Sequence, residues 1–164
     1  MKSKLFSNLL LFSLFGIALG FFGILYEGVV YGPKLLDVSK ERMHFWKDFT
    51  SIINPLVYYF PLTHLATITL AVLYIMTPKE KADIRKRLRL ASIFQIASLL
   101  LTFYILTQIN FKQSFGNIEK YANAIPGKVL LFNILSVLRV ALAAVGLTFI
   151  FKAYIQTQKE QKLN

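Results

Sequence analysis

The sequence predicts an all-α fold, a four-helix transmembrane bundle of up-down topology, and three observations carry the prediction. Hydrophobic residues make up 55% of the 164 and the mean hydropathy is +0.54. Charged residues reach only 16%, where a soluble domain carries about a quarter. The charges are also segregated. Uncharged stretches of 22, 30 and 22 residues separate Lys4 from Glu27, Asp48 from Lys79 and Arg89 from Lys112. A fourth stretch, Val129 to Phe151, holds a single charge, Arg139. A helix needs roughly 20 apolar residues to cross the hydrocarbon core. None of the four shows the polar residue at every third or fourth position that marks a soluble amphipathic helix. The chain therefore reads as one domain, residues 1–164, with spans at about 5–31, 55–76, 90–109 and 129–154.

The first span begins after Met1-Lys2-Ser3-Lys4 and stops at the breaker pair Gly32-Pro33. Its start resembles a signal peptide, with Ala18-Leu19-Gly20 as a small-residue cleavage site. The apolar run continues through Val30, however, well past an h-region of about 7–15 residues. An uncleaved span is the expectation and a removed leader the alternative. Residues 34–50 mix Leu35, Phe45, Trp46 and Phe49 with seven charges, a pattern that lies along a membrane interface. Asn54-Pro55 opens the second span, as an N-cap followed by a proline at the first helical position. Pro61 predicts a kink within it. A basic turn, Thr77 to Arg89, leads into the third span, and Pro126-Gly127 reads as the turn before the fourth. A short polar tail is expected after Tyr154.

Composition also excludes function classes. A net charge of +11 invites nucleic acid, but the basic residues lie in short segments between apolar spans rather than on one folded face. Membrane orientation accounts for them. The termini and the middle turn, which share a side, hold 11 Lys and Arg; the other two loops hold seven. This bias places both termini in the cytoplasm of a multi-pass protein of the cell membrane. The basic turn reads as a topology determinant, with contact to anionic lipid as an added role. The absence of cysteine excludes disulfide exchange, thiolate metal sites and iron–sulfur clusters. No cofactor motif is present, no oligomeric state is implied, and membrane lipid is the partner the composition requires.

Candidate site residues are the polar groups inside the spans. An ionised side chain at the bilayer centre costs roughly 2.5–3.5 kcal/mol, so Glu27, Arg139 and His64 call for partners. At about 1.5 Å per residue, Glu27 lies ~6 Å inside the boundary near Tyr31, Arg139 ~15 Å and His64 ~14 Å from that same side. Helical side chains lean toward their own N-terminus, so Glu27 leans inward and the other two outward. All three converge on one layer. Gly16, Gly20, Gly23 and Glu27 share a stripe at spacings of four, three and four, and Ser136, Arg139, Ala143 and Gly146 form another. Small residues on a stripe permit close helix approach, which turns Glu27 and Arg139 toward the bundle. Asn54, Asn133, Tyr26 and Tyr58 line the mouth of this layer as binding candidates, with Tyr31 and Tyr59 adding hydroxyls.

Each has a plainer reading. Glu27 and Arg139 make a structural ion pair, His64 a packed core residue, and Asn54 an N-cap. One histidine and one carboxylate do not make a metal shell, and the second histidine, His44, lies in the interfacial segment. If the pair is functional, Arg139 stabilises an oxyanion and Glu27 or His64 accepts a proton. The rival is a non-catalytic bundle for lipid binding, assembly or small transport.

With these residues in view, the chain resembles the anthrone-oxygenase-like family of small four-span membrane proteins. The resemblance rests on Gly20-Phe21-Phe22-Gly23 through Gly32-Pro33, on Asn54-Pro55, and on Asn133 followed by Arg139 and the small-residue run Val140-Ala141-Leu142-Ala143-Ala144. It departs where Leu131-Phe132 precedes Asn133, a place where members often carry tryptophan. The resemblance implies a membrane site for a small lipophilic, phenolic molecule. It further implies an activity like that of the fungal members, which oxidise anthrones to anthraquinones with oxygen without a bound cofactor.

Overall fold

A computed structural model describes residues 3–30, 41, 44, 45, 47, 48, 56–110 and 125–163. Four long helices make up nearly all of it: α1 (Ser3–Val30), α2 (Leu56–Met76), α3 (Ala82–Ile105) and α4 (Ile125–Leu163), with a π-helical turn over Leu106–Asn110. All four are long and apolar enough to cross a membrane. The chain is a multi-pass membrane protein.

Contacts between named residues set the direction of each helix. Ser7, near the start of α1, accepts a hydrogen bond from Gln158, near the end of α4, while Glu27 at the other end of α1 meets Arg139. Gly16 of α1 faces Leu62 and Ala66 of α2, and Gly23 faces Tyr59. Arg87 of α3 donates to the Lys152 carbonyl of α4, and Ser98 donates to the Arg139 carbonyl. Each neighbour is thus antiparallel to the next, the expected up-down order. The helices close in a ring in which α1 packs on α2 and α4, and α3 on α4 and α2.

The distribution of polarity is the reverse of a soluble bundle. Phe15, Phe22, Val29, Ile68, Ile75, Leu100 and Val137 point outward and are exposed, whereas Ser13, Thr67, Ser92, Gln95, Ser98 and Thr102 are buried. In hydrocarbon an outward polar group would have no water to bond, so polarity is drawn inside. There the hydroxyls of Ser13, Thr67, Ser92 and Thr102 bond back to the carbonyl four residues earlier. An apolar layer of Leu10, Ile17, Leu70, Leu73, Leu88 and Ile150 fills the half of the bundle nearer the charged turn.

Three element boundaries differ from the sequence reading. The basic turn shrinks to Thr77–Lys81, and Arg85, Lys86, Arg87 and Arg89 ride on the first two turns of α3. The charges were read as a loop because they are polar, yet Lys and Arg are good helix formers and their long stems reach water from a helix. Pro126-Gly127 lies inside the first turn of α4, where the missing proline N–H has no intrahelical partner to lose. The polar tail continues α4 to Leu163. It leans on α3 through Lys81 and Glu160, 2.6 Å apart. Pro61 lies inside α2, which runs on through it. The Gly32-Pro33 break, Trp46 and the Asn54-Pro55 cap lie outside the described residues.

Candidate functional site

The stripe Gly16, Gly20, Gly23 and Glu27 faces α2 along its whole length. A Cβ on Gly16 would stand 2.5 Å from the Ala66 Cβ, and one on Gly20 would stand 2.5 Å from the Thr63 hydroxyl. Thr63 donates to the Tyr59 carbonyl at 2.7 Å and reaches the Gly16 carbonyl of α1 at 3.2 Å. At Gly23 the Tyr59 ring takes the space, 2.8 Å from where a Cβ would be. That approach lets the Tyr59 hydroxyl reach one turn further and donate to Glu27 Oε1. Glycine is required here because any side chain would push the ring off the stripe.

The other carboxylate oxygen belongs to α4. Arg139 Nη2 lies 2.6 Å from Glu27 Oε2, and the two side chains are only 2% and 10% exposed. Acid and base thus meet across α1 and α4 at one depth in the bundle. Two engaged oxygens and one charge-assisted contact offset the cost of taking both ions from water.

The second stripe is also confirmed in place. Ser136, Arg139 and Ala143 are buried, and Gly146 admits the Gln95 side chain of α3, which donates to the Ala143 carbonyl at 3.1 Å. Ser98 donates to the Arg139 carbonyl at 3.1 Å. One side of this face is left incomplete: Arg139 Nε and Ser136 Oγ are buried with no hydrogen-bond partner among the described residues. Ser136 stands one turn before Arg139, on the side toward which the arginine stem leans. The two orphaned donors therefore occupy adjacent positions on one helix face.

Comparison with protein families, curated proteins and solved structures returns no match. The site must be read from its own chemistry.

His64 does not join the pair. Its Nδ1 lies 2.6 Å from the Phe60 carbonyl, its ring packs on Phe60 at 3.8 Å and on Phe103 of α3 at 5.5 Å, and Nε2 is buried without a partner among the described residues. The depth argument put it in the right layer but not on the right side. Thr63 faces α1, and one residue further round a helix is about 100°, which turns His64 toward α3. Tyr26 is half exposed on α1, and Asn133 is half-buried on α4 one turn before Ser136. Asn54 and the side chain of Tyr58 lie outside the described residues. Among the described residues no cluster of three or more His, Asp or Glu is placed to hold a metal.

Sequence reasoning missed Gln95 and Ser98, which clamp α3 onto the arginine-bearing stripe. The third span departs from the reading that no span carries polar residues at helical spacing: Ser92, Gln95, Ser98 and Thr102 recur at spacings of three, three and four within it. Sequence reasoning also left Tyr59 among several hydroxyls, although Tyr59, Thr63, Ala66, Leu70 and Leu73 trace one face of α2.

Proposed function

We propose that this membrane protein binds a small lipophilic molecule bearing an acidic hydroxyl, a phenol or its tautomer, at the face formed by Ser136 and Arg139. The observation that carries the reading is the pair of orphaned buried donors. A buried polar group without a partner costs roughly 1–3 kcal/mol, and a ligand oxyanion accepting from both Arg139 Nε and Ser136 Oγ would recover it. Glu27, with the Tyr59 hydroxyl between it and the ring-lined side of α2, is the proton acceptor of this arrangement. His64 has no part in it.

By the resemblance to anthrone-oxygenase-like proteins, the chemistry is oxidation of an anthrone. The anthrone gives up its methylene proton to Glu27, and its oxygen becomes the anion held by Arg139. Dioxygen then adds at the former methylene carbon, and loss of water leaves the quinone carbonyl. One anthrone and one dioxygen thus give one anthraquinone and one water.

Ser136→Ala separates this reading from a purely structural one. Among the described residues the hydroxyl has no partner to lose, so the variant should unfold at a temperature no lower than the parent's. Its affinity for anthrone in detergent, measured by equilibrium dialysis, should fall about tenfold or more. Undiminished affinity removes Ser136 from the site, and failure of the parent to take up anthrone overturns the proposal.

The second reading, a non-catalytic bundle for lipid binding, assembly or small transport, has its own observation. Both oxygens of Glu27 are already engaged by protein groups, as a structural pair requires.

We place the protein in the cell membrane with both termini in the cytoplasm, on the distribution of Lys and Arg. The chain has no cysteine, so single-cysteine labelling is free of background. A Lys162→Cys variant should resist an impermeant maleimide applied to intact cells and react after lysis. Labelling of intact cells would reverse the orientation.

A further inference from the structure

The charged end of the bundle, remote from Glu27, carries a groove of about 320 Å³ lined by Arg87, Phe151, Lys152, Ile155, Gln156 and Lys159. From its chemistry we infer that it is a specific seat for an anionic phospholipid with a hydroxyl-bearing headgroup, of the glycerol or inositol type.

Position comes first. Arg87 and Arg89 are the last charges on α3 before its 22-residue uncharged run, and Lys152 is the first on α4 after Arg139. Arg87 Nη1 donates to the Lys152 carbonyl at 3.3 Å, which holds the two cations at one level. The groove therefore sits where hydrocarbon gives way to headgroups. Phe151 and Ile155, one turn apart, are exposed apolar side chains suited to the start of an acyl chain. Lys152 and Lys159 lie two turns apart on the same face of α4.

Charge selects the headgroup. Among the described residues, three cations line the groove and no carboxylate does. Glu160, the nearest acid in sequence, is held by Lys81 at 2.6 Å. A phosphodiester fits this excess, whereas a zwitterionic lipid would bring a further cation to it. Gln156 adds the finer requirement. Gln156 lines the groove, its Oε1 is buried with no donor among the described residues, and a phosphodiester supplies only acceptors. A headgroup hydroxyl supplies the donor.

The test is retention of added lipid by the purified full-length protein in neutral detergent, read by native mass spectrometry. Phosphatidylglycerol should be retained well above phosphatidylcholine. In Lys152→Gln/Lys159→Gln, two exposed substitutions, its retention should fall about 30-fold, since a basic residue near a lipid surface contributes about 1 kcal/mol. Gln156→Leu should weaken retention of phosphatidylglycerol and leave phosphatidylmethanol, a phosphodiester that lacks the headgroup hydroxyl, unchanged. Equal retention of phosphatidylglycerol and phosphatidylcholine overturns the site, as does full retention by the double lysine variant. Displacement by soluble glycerol 3-phosphate at equal concentration overturns the assignment to lipid. Equal loss of both lipids in Gln156→Leu overturns the headgroup assignment.

Discussion

Arg139→Leu is expected to destabilise the folded bundle by about 3–5 kcal/mol, the largest effect of any single substitution at the site. The side chain is 1% exposed and its guanidinium lies 2.6 Å from Glu27 Oε2. Removing it leaves a carboxylate buried between helices, still accepting from Tyr59 but without its counter-ion. The loss should appear in thermal unfolding followed by circular dichroism in detergent. Glu27→Gln/Arg139→Leu should recover most of it, because the amide still accepts from Tyr59 and no ion remains without a counter-ion. That non-additivity is the signature of a coupled buried pair. The double variant also separates structure from function: it should fold and yet fail to take up anthrone. Near-neutral stability of both single variants would mean that the pair contributes nothing to the bundle.

Gly16→Ile should cost about 1–3 kcal/mol, toward the upper end, by forcing α1 and α2 apart. A Cβ there would stand 2.5 Å from the Ala66 Cβ and 3.2 Å from the Leu62 carbonyl oxygen. Neither can swing aside, since one is attached directly to the backbone and the other belongs to it. In a membrane no hydrophobic force drives helices together, so this close contact is a main source of their association. The consequence extends two turns along the stripe, where the Tyr59 ring rests on Gly23 and reaches Glu27. Moving the small residue across the contact tests the mechanism: Gly16→Ala/Ala66→Gly should be far milder than Gly16→Ile. If Gly16→Ile unfolds at the parent temperature, the two helices do not rely on this approach.

The Arg87, Lys152 and Lys159 groove and the Glu27–Arg139 pair sit at opposite ends of the same bundle, and both arise from one constraint. A helix surrounded by hydrocarbon can place polar groups only where another helix or the headgroup layer receives them. Charges near the helix ends go to the interface, and those within the span turn inward. The same rule turned Ser98 toward α4 and buried Ser136 within the bundle rather than outward.

The sequence by itself determined the four spans, the antiparallel order that successive membrane crossings impose, and the inward stripes of Gly16, Gly20, Gly23 and of Ser136, Ala143, Gly146. Each of these follows from hydropathy and helical period along one chain. It also brought Glu27 and Arg139 to one depth, because rise per residue is a property of a single helix. Only the tertiary structure decided which groups at that depth touch. It separated His64 from the pair by about a quarter-turn of α2, chose Tyr59 as the second partner of Glu27, and set Gln95 and Ser98 against the arginine stripe. It likewise turned the charged loop and tail into helix, through the packing of α3 on α4. The reason is the same in each case: depth and period are read along one helix, whereas contact depends on how each helix is rotated against its neighbours, which only their packing sets.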